Sequence, residues 1–371
     1  MTELKPRERV LLALDRKETD RVPVDFLATP EVWAALERYL GVSGHELVLQ
    51  VLGADLRHPR QPYAGPALER FADGTWRDAW GVVRRMVPNE FGAYEEIARH
   101  PLAGDLDMRT LAEYPWPRPE WWDADALAAA IPEDYAIALE EFGDPGGMFE
   151  IAWYLRGFEQ FLADVMERPE LACEIMRRVT DFYIGMLDRV MAACPGRIDL
   201  VWTSDDVAHQ RGSLMSIRTW REAVAPHHER LNRRIHEHGA RVMYHCCGAV
   251  RPFLPGLVEI GVDVLDVLQF SARGMDPAEI KQSFGGALCF HGGVDVQTTL
   301  PRGTPESVRA EVRARIDVLG KGGGYILSPA HNIQPDTPPA NIVAMYAEAG
   351  SIRKREALLP TSYPAGRGDG K

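Results

Sequence analysis

From about residue 135 the chain alternates short apolar, β-rich runs with longer amphipathic helical stretches, and this alternation limits the folds open to it. The runs are "YAIALEEF" (135–142), "IDLVWTSDD" (198–206), "ARVMYHCC" (240–247), "VDVLDVLQ" (262–269), "ALCFHGG" (287–293) and "GGYILSPAH" (323–331). An earlier run, "RVPVDF" (21–26), has the same character. The stretches between them carry helix punctuation. "DPAEIKQSFGG" offers Asp276 as N-cap, Pro277 at the first helical position and Glu279 to close a capping box. "TPESVRAEVRARIDVLGKGGG" starts at Thr304-Pro305 and stops at Gly320. Pro226 is expected to kink or break the helix of "SIRTWREAVAPHHERLNRRIHEHG", which ends at Gly239. Repeated strand–helix alternation calls for a parallel sheet.

A closed (β/α)8 barrel and an open doubly wound sheet both satisfy that alternation, and the ends of the runs separate them. Nearly every run closes on polar side chains: Glu140 and Glu141, Asp205 and Asp206, His245 and Cys247, Gln269, His291 with Asp295, and His331. Barrel sites are assembled from the C-terminal ends of many strands, whereas an open sheet gathers ligands at one switch point beside a Gly-rich phosphate turn. "GKGGGY" (Gly320 to Tyr325) leads into a strand and reads as a turn. The expectation is therefore a somewhat distorted (β/α)8 TIM barrel in one domain over residues 1–350, with helix-rich N-terminal additions over about 1–130. The remainder, 351–371, is rich in Pro, Gly and charge and reads as a flexible tail. Prolines rule out a regular element in "YPWPRPEWWDAD", where Trp116, Trp121 and Trp122 are expected to anchor packing; stacking on a ligand is the alternative use.

Composition narrows the function. A formal net charge of −12 argues against nucleic acid as the main partner. No apolar run approaches the roughly 18 residues that span a bilayer, and the charged N-terminus lacks a signal core, so a cytoplasmic location is expected. Five irregularly spaced cysteines make no disulfide framework.

Two of those cysteines adjoin each other in "MYHCCGAV" (Met243 to Val250). On a strand, residues i and i+2 share a face, so His245 and Cys247 point together and Cys246 points away. One imidazole and one thiolate are thus offered to a single metal, with Cys246 packed behind as a small apolar residue. A buried thiol pair beside a turn is the plain alternative. A zinc site needs a third ligand from another strand end, and His331, His291, Asp205, Asp206 and Glu150 are the candidates. Of Asp205 and Asp206, at least one is expected to face the pocket in a catalytic or orienting role, unless they cap the next helix. His291, beside two glycines that permit close approach to a ligand, is expected to be a pocket hydrogen-bond donor. His227, His228, His236 and His238 lie on a charged helix and are expected in solvent, and Glu150 is expected to be a surface carboxylate.

"RVPVDF", "HCCG", "DVLDVLQ", "FGGALCFHGGVDVQTTLPRGTPESVRAEV" and "GGGYILSPAHNIQPDTPPANIVAMY" together resemble the uroporphyrinogen decarboxylase superfamily, from residue 5 to about 350 and most strongly over 200–347. Within it they look more like the zinc-dependent, corrinoid-linked methyltransferase branch than the decarboxylases. In the decarboxylases the first strand is followed by an Arg-Gln-Ala-Gly-Arg segment that grips substrate carboxylates; here "PVDF" is followed by "LATPEVW", without arginine. In the methyltransferase branch a His-x-Cys followed by Gly supplies two zinc ligands, and His245, Cys247 and Gly248 match that pattern. The coenzyme M methyltransferases carry a third ligand as the cysteine of Ser-Pro-Gly-Cys-Gly, where this chain reads "SPAHN" and places His331. His331 either completes a His/Cys/His set or contacts substrate while a carboxylate serves the zinc.

The resemblance implies Zn2+ as cofactor and a (β/α)8 barrel. It also implies a methyl group exchanged between a small methyl donor or thiol acceptor and a corrinoid (cobalamin) on a partner protein. No corrinoid-binding Asp-x-His-x-x-Gly motif is found in the chain. Relatives of this fold are often homodimers. A metal-free decarboxylase or lyase acting on a smaller acid through Asp205, Asp206 and His331 is the second reading, and a barrel that binds without catalysis is the third.

Overall fold

The computed structural model describes residues 3–140 and 146–353. Glu141 and the tail beyond residue 353 lie outside the described residues. Seven parallel strands stand in one sheet in the order of the sequence: β1 (Leu56–Arg57), β2 (Ala136–Leu139), β3 (Leu200–Ser204), β4 (Arg241–His245), β5 (Val264–Asp266), β6 (Cys289–Val294) and β7 (Tyr325–Pro329). Five of the seven fall within runs read from the sequence, and β6 extends one residue past its run.

Residues 22–26 close the sheet as its eighth stave. Val24 pairs in parallel with Leu327 of β7, where Asp25 N–H donates to the Leu327 carbonyl at 3.0 Å and Leu327 N–H donates to the Pro23 carbonyl at 2.9 Å. On its other side the Val24 carbonyl accepts from Asp55 N–H at 2.8 Å, just ahead of β1. Closure leaves no unpaired sheet edge. The fold is the expected (β/α)8 barrel.

The barrel lumen is filled near the strand starts. Leu56, Ala136, Ala138, Leu200, Met243, Val264, Cys289 and Ile326 form one cluster, sealed by Val10, Ala13 and Leu14 of the helix Pro6–Leu14. A second, larger cluster packs the outer faces of the strands against the surrounding helices. The side chains that remain for chemistry are those above the lumen cluster, at the strand ends.

The helix punctuation is realised. Asp276 Oδ1 accepts from Glu279 N–H at 2.9 Å at the head of Pro277–Phe284. Thr304 caps Pro305–Arg315, and its turns run on to Gly320. Pro226 divides the expected long helix into Ile217–Ala223 and Ala225–Glu237.

The N-terminal region differs in one respect. Alongside its helices it carries a three-stranded antiparallel sheet, Trp76–Arg77, Val83–Asn89 and Gly92–Arg99, where charged residues interrupt the apolar ones and no apolar run marks the strands. It also supplies two of the eight staves. Trp122 is buried against Phe182 and Tyr63, and Trp116 meets Trp80 and Tyr114 edge-on, so both serve packing. At the other end Ser351 is buried, its hydroxyl donating to the Leu52 carbonyl at 2.7 Å, so the packed domain reaches at least that residue. Among the described residues no helix is long and apolar enough to cross a membrane.

Candidate metal centre at the barrel mouth

His245 is the last residue of β4, and the backbone beyond it is clamped from three sides. Cys246 N–H donates to the Asp266 carbonyl at 2.7 Å, Cys247 N–H to Asp206 Oδ1 at 2.6 Å, and Gly248 N–H to Gln269 Oε1 at 2.8 Å. Gly248 has φ +82°, and a Cβ there would stand 2.6 Å from the carbonyl carbon of His209, so the turn requires glycine. The clamp aims Cys247 at His245, with Sγ 3.5 Å from Nε2, and sends Cys246 into the outer core, fully buried. Burial pushes the Cys246 thiol well above its ordinary pKa and keeps it inert.

His331 arrives from the far end of β7, two residues past Pro329. Its ring meets that of His245 edge-on at 5.7 Å between centroids. The ligand-capable atoms of His245, Cys247 and His331 all lie within 4.8 Å of one another, and no other such trio of His, Cys or carboxylate groups occurs among the described residues. Tetrahedral zinc with bonds of 2.0–2.3 Å holds its ligand atoms roughly 3.4–3.8 Å apart. The His245–Cys247 separation already falls there, and from within 4.8 Å His331 closes the set by moving up to about 1.4 Å. The residues present fit a zinc ion.

Burial shifts Cys247 and His331 in opposite directions. Burial raises the Cys247 thiol above its ordinary range despite the pull of His245, and burial lowers His331, helped by the charge of His245. A divalent ion reverses the first effect and exploits the second, by stabilising a thiolate and binding an unprotonated imidazole.

Behind the ligands runs a buried chain of alternating carboxylates and imidazoles. His245 Nδ1 donates to Asp266 Oδ2 at 2.7 Å; the other oxygen of Asp266 meets His291 Nδ1 at 2.6 Å. His291 Nε2 meets Asp25 Oδ2 at 3.1 Å, and the same oxygen takes His58 Nε2 at 2.8 Å. His58 in turn stands 3.6 Å from Glu140, which Arg60 clasps. Burial alone would raise Asp266, but its two histidines hold it down at about 2, so it is an ionised acceptor. Burial alone would lower His245, but its bonds to Asp266 and Cys247 raise it well above its ordinary pKa; Nδ1–H is committed to Asp266, so Nε2 is the nitrogen a metal would take, by displacing its proton.

Two cavities flank the trio. One of about 200 Å³ descends into the barrel mouth between Trp202, Leu27 and Pro329, with Arg60 and Glu140 on its far wall. The other, about 420 Å³, opens outward past Asp206, Gln269 and Gln297. His331 lines both. A larger groove of about 920 Å³ lies elsewhere, between Met108, Met166 and Ala223, and touches none of these groups. Convergent polar atoms, not volume, mark the site.

The remaining expected residues divide. Asp206 lines the outer cavity beside Cys247. Asp205 faces the other way and is fully buried: it accepts from Phe149 N–H at 3.0 Å, Glu150 N–H at 2.9 Å and His228 Nε2 at 2.6 Å, capping the helix Met148–Arg156. His291 is fully buried with both nitrogens engaged by carboxylates; the structure corrects its expected place as a pocket donor, because nothing of the ring reaches the cavity. His228 and His227 are buried rather than solvated, since the turn at Val224 rolls that face of the helix onto Tyr244 and Thr180. Glu150 is half-buried, bonding Gly147 N–H and Ser204, not a surface group. Asp25, His58, Asp266 and Trp202 do not stand out in the sequence as site residues. The available signal is an aspartate inside an otherwise apolar buried strand, which occurs only when it is paired.

Fold and site together define a (β/α)8-barrel protein whose strand ends gather a His/Cys/His trio. The sequence profile described as uroporphyrinogen decarboxylase (URO-D) matches residues 140–351, and the chain belongs to that family. It is 27% identical over 296 residues to a methylated-thiol–coenzyme M methyltransferase of Methanosarcina mazei, covering 78% of this chain and 68% of that protein. It is 26% identical over 385 aligned positions to the uroporphyrinogen decarboxylase of Xanthomonas axonopodis pv. citri, covering 94% and 99%. A solved methyltransferase from Methanosarcina mazei superposes with a TM-score of 0.66 at 20% identity over 94% of this chain and 99% of the other, a likeness of fold.

Proposed function

We propose that the protein is a zinc-dependent methyltransferase that moves a methyl group between a small methylated substrate or thiol and a corrinoid carried by a partner protein. The observation that carries this reading is the convergence of His245 Nε2, Cys247 Sγ and His331 within 4.8 Å, with an ionised aspartate holding the Nδ1–H of His245. Zinc held there would supply Lewis acidity to the heteroatom that gains or loses the methyl group. The chain's own residues supply the rest. Trp202, Leu27 and Pro329 give the inner cavity an apolar wall, and the 200 Å³ available restricts the substrate to a small molecule. The outer cavity leaves the opposite approach clear for the corrinoid. The methylated-thiol methyltransferase among the relatives supports this branch of the family.

The decarboxylase reading is supported by the other relatives but weakened at two points. Asp205 is spent as a helix cap, and the segment after residue 26 carries no arginine cluster; in the inner cavity, Arg60 is already bound to Glu140. The deciding measurement is zinc by mass spectrometry on untagged protein, wild type and Cys247→Ala. Near-stoichiometric zinc that vanishes in the variant is expected. Wild type prepared without chelators and free of zinc would transfer the case to the metal-free lyase.

A further inference from the structure

The buried chain behind His245 contains a ring whose protonation is dictated by its neighbours. Both nitrogens of His291 face carboxylate oxygens, Asp266 Oδ1 at 2.6 Å and Asp25 Oδ2 at 3.1 Å. An ionised carboxylate only accepts, and a neutral imidazole has only one N–H to give. Asp25 is fully buried and also accepts from His58 Nε2 and from Phe26 N–H, both at 2.8 Å; Asp266 also accepts from His245. Two buried carboxylates need compensating positive charge, and His291 is the one group that touches both.

We infer that His291 is an imidazolium at neutral pH, locked between Asp25 and Asp266, and that this buried cation, which touches neither metal nor substrate, is a positioning residue that holds the Asp266 carboxylate, and through it the His245 ring, in place for the metal. The electrostatics point the same way: burial alone would depress His291, yet the two aspartates push it up to about 9. His291 Nδ1 fixes Asp266 Oδ1 at 2.6 Å, which leaves Oδ2 aimed at His245 Nδ1 at 2.7 Å. A neutral donor in place of the cation holds that carboxylate less firmly than a charge-assisted bond does. A ligand histidine whose acceptor behind it is loosened binds metal more weakly. Asp25 acts at one remove, by holding the far side of the cation, and His58 neutralises Asp25 in turn.

This inference rests on the zinc reading for its purpose, but its test begins without metal. In metal-free protein labelled with ¹⁵N at histidine, two-bond proton–nitrogen correlation at pH 7.5 is expected to show both nitrogens of His291 protonated, assigned by their loss in His291→Gln. One bare nitrogen at that pH overturns the inference whether or not the protein binds zinc. His291→Gln keeps a donor for Asp266 but removes the charge; competition against a chelating dye is expected to show zinc bound about 10- to 100-fold more weakly than in wild type. A folded His291→Gln protein with wild-type zinc affinity overturns it as well. Should that variant fail to fold, Asp25→Asn retains the ring and its bond to Asp266, and is expected to let His291 lose its second proton at lower pH; an unchanged titration counts against the inference. Wild type that takes up no zinc sinks the proposed function alone, because the ring spectrum is read without metal.

Discussion

Asp266 holds His245 by Nδ1 at 2.7 Å across neighbouring strands, β5 against β4, with the two residues in direct register. The carboxylate is 1% exposed and ionised, so the imidazole it grips has one orientation, with Nδ1 toward Asp266. Asp266→Asn keeps the shape and removes the charge. Zinc affinity is expected to fall by about 10- to 100-fold, read by dye competition, while the far-ultraviolet dichroism stays that of the wild type. Unchanged affinity would mean that Asp266 serves the fold alone.

Asp205 and Asp206 are adjacent in sequence and opposite in role. Asp205→Ala removes the cap of Met148–Arg156 and leaves His228 buried without its partner, and is expected to cost about 3–5 kcal/mol in urea unfolding. Asp206→Ala loses one bond to the Cys247 N–H, about 1 kcal/mol, and its main effect is expected on zinc retention. Equal destabilisation by the two would contradict the division.

His291 makes stability fall with alkali. Its folded pKa of about 9 lies above the ordinary 6.5, so the stability it contributes is complete below pH 6.5 and is lost as pH rises through about 9. Melting temperatures of metal-free protein measured from pH 6.5 to 10 are expected to decline, and His291→Gln to flatten that decline. A parallel slope in the variant would assign the loss to other groups.

Gly248→Ala tests the turn that aims Cys247. A left-handed alanine costs about 1–2 kcal/mol before any clash, and its Cβ would stand 2.6 Å from the backbone of His209. Lower stability together with lower zinc content is expected. Lower stability with full zinc content would show that Cys247 is held by its bond to Asp206 and not by the turn.

Much of this site is legible in the amino-acid order alone. His245 and Cys247 can be read there because strand periodicity fixes the facing of i and i+2; His331 is one of several strand-end candidates that a barrel brings to one mouth, and the family resemblance singles it out. Asp25, His58 and Asp266 cannot. Their meaning arises from pairing across 33 residues in one case and 266 in another. The swap of Asp205 from pocket to helix cap has the same origin: its partners, Phe149 and Glu150, lie more than fifty residues away.

The order of strands and helices, the punctuation at Asp276, Thr304 and Pro226, and the opposed facing of Cys246 and Cys247 are all properties of the linear chain. They depend on local geometry and on periods of two and 3.6 residues, which are written along it. Folding in three dimensions was needed to close the barrel with residues 22–26, to turn Asp206 and not Asp205 toward the cavity, and to seat His291 between two buried aspartates. Those outcomes turn on which polar atoms find partners once water is excluded, and that depends on distances between segments far apart in sequence.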